Sequence, residues 1–103
     1  MLIEAPYKQN DVVTIKLKTG EELIAKLTEE TSDYVNVKTP LTLVMSPKGL
    51  ALQQFLFTGD PDKGYKFPKD SIILITKTIK QFADTYSTQT SGIVTAPPNL
   101  QVK

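Results

Sequence analysis

Six of the eleven acidic side chains of this 103-residue chain occur in close pairs, and paired carboxylates can perform acid–base chemistry or bind cations. Glu21-Glu22 and Glu29-Glu30 are each adjacent in sequence. Adjacent residues of a strand point to opposite faces, so neither pair is a preorganised catalytic pair. Asp60 and Asp62 flank a proline, but the rest of a calcium-loop pattern is missing. We therefore predict that the chain is not an enzyme and has no catalytic residues, no metal site and no cofactor.

The composition excludes further classes of site. There is no histidine, the commonest general base and metal ligand, and no cysteine, so a disulfide framework cannot form. Twelve basic and eleven acidic residues give a formal net charge of +1. A general nucleic-acid coat or a polybasic membrane binder is typically more basic. Any recognition of an anion must therefore be local.

Nothing in the sequence indicates a membrane or secretory route. No run of about 18 apolar residues occurs, and such a run is what a spanning helix needs. The short apolar start at Met1 lacks the basic region and long apolar run of a signal peptide. We predict no membrane partner and a cytoplasmic location.

The elements that must position any site begin with a β-hairpin. Two runs of alternating residues, Val12–Lys18 and Glu21–Glu30, meet at Gly20, and alternation of this kind is typical of half-buried strands. The apolar residues that share the buried face are Val13, Ile15, Leu17, Leu23, Ala25 and Leu27. The chain therefore opens as a small all-β domain.

Further strands and one helix follow along the chain. The predicted strands are Tyr34–Met45, Leu50–Phe57, Tyr65–Phe67 and Ser71–Ile75. Pro40 cannot donate to a β-ladder, so a bend, bulge or exposed edge is expected there. Ile79, Phe82 and Tyr86 have helical spacing. We predict one domain over residues 1–87 and a flexible tail over residues 88–103, where small and polar residues dominate.

One strand carries more apolar surface than a small domain can bury. Ser71–Ile75 is apolar on both faces, and Phe55-Leu56-Phe57 gives the same signal. Such a strand needs a second covering surface. Either the C-terminal helix folds back over it or a neighbouring subunit covers it.

The opening hairpin resembles the first motif of Sm and LSm proteins, which are small, strongly bent barrels that close into rings. The spacing from Leu17 through Gly20 to Leu27 follows that motif, with Ala25 where the family has a second glycine. Tyr34, Val35 and Asn36 fall at the aromatic, Met and Asn positions of the family, and Ser32 and Asp33 precede them. Ser32 replaces the usual Asp. The resemblance covers residues 11–76 and implies a five-stranded, SH3-like barrel. The short C-terminal helix predicted from residue spacing would then replace the N-terminal helix that is usual in the family.

The second motif of the family departs further. The family places Arg-Gly before the last strand, whereas this chain has Pro68-Lys69-Asp70. Lys66 and Lys69 lie nearest to the missing arginine. A lysine is a point charge without the planar fork of arginine, so an RNA site built on these lysines is weaker.

The resemblance implies a site for single-stranded, U- or A-rich RNA at the pore of a ring. Tyr34 would stack on a base and Asn36 would hydrogen-bond the base edge, with Ser32 and Asp33 beside them. Lys66 and Lys69 would attract phosphate. The alternative is purely structural: Tyr34 caps the strand pair, Asn36 stabilises the turn, and the lysines blunt a sheet edge.

Two functions stay open for such a ring. The resemblance implies a homo-oligomer in which strand edges pair head to tail. The residues predicted at that interface are Phe55, Phe57, Ile73 and Ile75. The first function is binding of single-stranded RNA; the second is a protein-interaction or assembly ring without RNA binding, for example in a phage particle. Divergent Sm-like proteins also occur in phages, in which case the compartment is the host cytoplasm.

Overall fold

The structure, a computed structural model, describes residues 7–60 and 63–91. This part of the chain forms one antiparallel, unclosed sheet followed by a short helix, so the predicted mostly-β class and C-terminal helix are confirmed. The elements are β1 (Val12–Leu17), β2 (Glu22–Glu30), β3 (Tyr34–Ser46), β4 (Gly49–Gln54), β5 (Gly64–Pro68), β6 (Ile72–Lys77) and α1 (Lys80–Thr90). The strand order is β4-β3-β2-β1-β6, and β5 also pairs with β3.

The predicted hairpin of β1 and β2 is present, and its register brings the two predicted apolar rows opposite each other. Val13 lies opposite Ala25 and Ile15 opposite Leu23. The turn between them depends on Gly20, whose φ of 109° lies in the left-handed region. Its N–H donates to the Leu17 carbonyl at 2.9 Å, which closes the turn.

The main core lies on the face of the sheet that the alternation predicted. Its buried members are Val13, Ile15, Leu17, Leu23, Ala25, Leu27, Val35 and Val37. Half-buried Phe55, Phe67 and Ile75 pack against them. Because each large apolar side chain that leaves water contributes about 1.5–3 kcal/mol, this face supplies most of the driving force for folding.

A bulge interrupts the long strand β3 at Pro40, and a bulge is one of the three outcomes expected there. Ile24 pairs with Leu41 and Lys26 pairs with Lys38, which leaves Thr39 and Pro40 together opposite Ala25. Thr39 has a φ of 49°, which is uncommon for a residue other than glycine. This bulge divides β3 into two halves, and β5 pairs with the first half and β4 with the second.

The strand predicted over Leu50–Phe57 is shorter than expected, since β4 ends at Gln54. The Phe55 N–H donates to the Pro40 carbonyl at 3.1 Å, but Pro40 has no N–H to donate in return. The ladder therefore stops. Phe55 turns into the core, where its ring centroid lies 5.9 Å from that of Phe67.

The helix covers a different surface from the one proposed for it. Phe82 and Tyr86 pack on the second face of the sheet, against Ile24 and Leu41. Leu74 of β6 stays 58% exposed, so the helix does not cover the apolar strand. The helix continues to residue 90, so residues 88–90 are helical, and the remainder of the predicted tail from residue 92 lies outside the described residues.

Candidate functional site

The site predicted around Tyr34 is assembled by two strand pairings. Asn36 of β3 lies opposite Glu29 of β2 and opposite Lys66 of β5. Tyr34 is two residues before Asn36 and therefore shares its face. The Lys66 Nζ atom lies 4.5 Å from the centroid of the Tyr34 ring. An aromatic ring, an amide and an ammonium group thus meet on one face at the edge of the sheet.

The orientation of Tyr34 is fixed from both ends. Its hydroxyl donates to Glu29 Oε1 at 3.2 Å, and this hydrogen bond raises the pKa of the Tyr34 phenol above its usual value. Its backbone N–H donates to the Thr31 hydroxyl at 3.2 Å, and the Thr31 N–H donates to the Tyr34 carbonyl at 2.9 Å. The half-buried ring therefore holds a fixed position while Lys66 occupies one side of it.

Thr31, rather than Asn36, holds the turn before β3. The Thr31 hydroxyl also accepts from the Asp33 N–H at 3.1 Å. The side chain of Asn36 lies instead beside Gly64, where an added Cβ would come within 3.2 Å of the Asn36 Oδ1 atom. The role of Thr31 was missed, although a hydroxyl at the start of a turn is a recognisable signal.

Ser32, Asp33 and Lys69 lie at one end of the site. Ser32 and Asp33 form the exposed bend, and the Asp33 carbonyl accepts from the Lys69 N–H at 2.8 Å. The Lys69 ammonium pairs with Glu30 Oε2 at 2.6 Å. The hydroxyl of Tyr7 donates to the same oxygen at 3.0 Å, and burial together with this bond raises the pKa of Tyr7 to about 12. Lys69 is therefore already neutralised, unlike Lys66.

The local charge is mixed rather than basic. Glu29, Glu30 and Asp33 lie around Tyr34, against two lysines. A polar cleft of about 590 Å³ opens between Glu29, Glu30 and Asn36 on one side and the segment around Tyr7 on the other. Phosphate would be repelled from the glutamates, so this cleft is not the place for an RNA backbone.

The four residues predicted at an oligomer interface separate into two pairs. Phe55 and Ile75 are half-buried against the core. Phe57 and Ile73 are 75% and 63% exposed. Strands β4 and β6 lie at the two ends of the sheet order, so each has an edge without a partner in the described part of the chain.

Within residues 7–60 and 63–91, no cluster of acidic side chains could hold a metal ion; Asp62, proposed beside Asp60, lies outside them. No helix in the described segments has the length and apolarity needed to cross a bilayer. No family model matches the chain, and the search of curated proteins finds no match.

Proposed function

We propose that the chain forms a homo-oligomeric, Sm-like ring and binds single-stranded RNA through Tyr34, Asn36 and Lys66. The observation that carries this proposal is the meeting of these three side chains on one face. Lys66 and Tyr34 are far apart in sequence, yet the ammonium lies 4.5 Å from the ring centroid. Stacking, edge recognition and phosphate attraction are the three contacts that a single-stranded nucleotide uses.

Each side chain has a distinct part in this site. A base stacks on the Tyr34 ring and displaces the Lys66 ammonium, which then contacts the phosphate of the same nucleotide. Asn36 offers both a donor and an acceptor to the base edge. Glu29 keeps the ring oriented through the tyrosine hydroxyl. One such site is weak, and a ring that repeats it around an axis raises the overall affinity.

The connection between β5 and β6 supports the barrel part of the proposal. β5 pairs with β3 and β6 pairs with β1, so these strands lie at opposite sides of the hairpin. A single 3-10 turn, Lys69–Ser71, joins them. So short a link keeps β5 close to β6, although no ladder joins them in the described residues, and this favours a bent five-stranded barrel of β5, β3, β2, β1 and β6. β4 then extends beyond it.

The free edges of β4 and β6 support the ring. Exposed apolar side chains lie on or beside both: Met45 and Leu50 are 78% and 55% exposed near β4, and Ile73 is 63% exposed on β6. Unpaired edges with apolar side chains are templates for pairing with another chain. Pairing β4 of one protomer with β6 of the next is head to tail and closes when the rotation permits.

A second candidate, an assembly ring without RNA binding, is favoured by the acidic groups of the site. Glu29 and Glu30 already satisfy Tyr34 and Lys69. A site whose polar groups are paired among themselves offers less to a ligand, and the carboxylates repel phosphate.

The test combines solution mass with RNA titration of the full chain. We expect an oligomer at micromolar concentration and salt-sensitive binding of labelled oligo-uridine or oligo-adenosine. Tyr34→Ala should weaken binding roughly 5- to 150-fold, the equivalent of one lost stacking contact. Tyr34→Phe is the matched control: it keeps the stacking ring and loses only the hydrogen bond to Glu29, so it should bind RNA more tightly than Tyr34→Ala. An oligomer that binds no RNA at low salt supports the second candidate, and a monomer contradicts both.

A further inference from the structure

Two lysines lie directly opposite each other on the face that carries Tyr34 and Asn36. Lys26 of β2 pairs in register with Lys38 of β3, and both are exposed. Like charges in this arrangement destabilise a sheet. Among the described residues, ion pairs are formed by Lys69 and Lys80 but by neither of these two. The pair therefore retains an unneutralised double positive charge.

The register extends this pair toward the candidate RNA site. Lys38 faces Gly64 of β5, and Asn36 faces Lys66. Lys38 and Lys66 are thus diagonal neighbours, at a typical separation of about 7–8 Å. On the β5 side Lys38 faces a glycine, which has no side chain, and the side chain of Asn36 lies beside that glycine. Lys26, Lys38 and Lys66 form a lysine row across three strands, and its last member lies over the Tyr34 ring.

A polar cleft lies at the Lys26 end of the lysine row. It has a volume of about 380 Å³, and both Lys26 and Lys38 line it together with Asn10, Ser87 and Thr90. Its lining contains hydroxyl and amide groups and no aspartate or glutamate. The cleft beside Glu29 and Glu30 is lined by these two carboxylates and a single lysine, Lys8. A phosphate group is therefore attracted to the Lys26 side of this face and repelled from the other.

We propose that the lysine row and the cleft at its end bind the phosphate backbone of a single RNA strand whose base stacks on Tyr34. The strand runs from Tyr34 over Lys66 and Lys38 to Lys26. This inference rests on the proposed RNA-binding function and specifies the direction in which the RNA leaves the stacking site. It also explains why the two opposed lysines are tolerated, because bound phosphates relieve their repulsion.

A structural explanation predicts something different. Thr90 near the carboxyl end of α1 lines the same cleft, and the negative end of a helix attracts cations. If Lys26 and Lys38 served only that end, their removal would lower thermal stability and leave RNA binding unchanged.

The experiment compares a uridine dinucleotide, too short to reach past Lys66, with an oligo-uridine of about twelve nucleotides, each bound to the full chain over a salt series. Lys26→Ala/Lys38→Ala should bind the longer RNA about tenfold more weakly and lower the magnitude of its salt slope by about 1.4, the value for two lost phosphate contacts to a single strand. Binding of the shorter RNA should not change. Lys18→Ala/Lys48→Ala, which removes two exposed turn lysines, is the matched control. It should change neither the affinity for either RNA nor the salt slope.

The outcomes separate the two proposals. Tyr34-dependent binding of both RNAs with an unchanged slope in the Lys26/Lys38 variant overturns the lysine row and leaves the proposed function standing. Absence of any RNA binding by the wild-type chain overturns both. Lys26→Gln/Lys38→Gln removes both charges but keeps extended polar side chains, so the salt slope of this variant decides the question if the alanine variant unfolds.

Discussion

Tyr86→Phe should destabilise the protein although it removes only one oxygen atom. The hydroxyl of Tyr86 accepts from the Lys26 N–H at 3.1 Å and lies 2.9 and 2.8 Å from the carbonyl oxygens of Lys38 and Thr39. These backbone groups belong to the bulge of β3 and to the strand opposite it. The hydroxyl thus replaces the ladder hydrogen bonds that the bulge interrupts.

The magnitude follows from what the substitution leaves behind. Tyr86 is 3% exposed, so the Lys26 N–H loses its partner in a buried place. An unsatisfied buried donor costs about 1–3 kcal/mol of stability. Loss of the hydroxyl donor to the Lys38 and Thr39 carbonyls increases this cost, and water entering from the neighbouring cleft reduces it. We expect a loss of about 2 kcal/mol, which lowers Tm by roughly 10 °C in a domain of this size.

Urea denaturation monitored by circular dichroism, together with a thermal scan, measures the loss. Tyr65→Phe is the matched control, because the Tyr65 hydroxyl donates to the Asp60 carbonyl in an exposed loop. It should change stability by less than about 0.5 kcal/mol. A Tyr86→Phe variant that is as stable as this control would refute the reasoning and show that the bulge does not depend on α1.

Three further predictions follow from particular contacts. The free energy of unfolding should fall as pH rises from about 10 to 12, because burial raises the pKa of Tyr86 from 10.0 to about 12. In this range the unfolded chain loses the tyrosine proton while the folded chain keeps it. The difference in unfolding free energy between wild type and Tyr86→Phe should therefore narrow as pH rises. Gly20→Ala should cost about 1–2 kcal/mol in urea denaturation through backbone strain alone, since an added Cβ meets nothing within 4 Å; a neutral result would show that the turn can rearrange. Thr78→Val should cost about 1 kcal/mol by breaking the 2.8 Å hydroxyl pair with Thr14, whereas the double Thr14→Val/Thr78→Val variant should lie close to wild type. A double variant worse than the single one would contradict that explanation.

The local features of the fold were predictable from the sequence because they depend on neighbours in the chain. The alternation of Val12–Leu27 predicts both the hairpin and its buried face, since side chains of a strand point to alternate faces. Gly20 predicts the turn, and Pro40 predicts the break in β3, because each imposes a backbone preference of its own. These effects act over a few residues and need no knowledge of the rest of the fold.

The features that the sequence left undecided depend on register between distant strands. Strand β4 ends at Gln54 because the next residue, Phe55, meets Pro40, which has no N–H to donate. The position of α1 follows from the bulge, whose backbone groups Tyr86 satisfies. The sequence suggested the apolar strand Ser71–Ile75 as a surface for the helix, and only packing placed the helix against Ile24 and Leu41 instead.

The candidate site divides in the same way. The residue types alone indicated stacking and amide recognition at Tyr34 and Asn36, and they placed both on one face of one strand. Only the tertiary structure decided that Lys66 lies over Tyr34, that Lys69 is neutralised by Glu30, and that Lys26 and Lys38 oppose each other. The physical reason is that alternation along a strand is a local property, whereas the partner across a sheet is set by long-range pairing, in which a single bulge shifts every later residue.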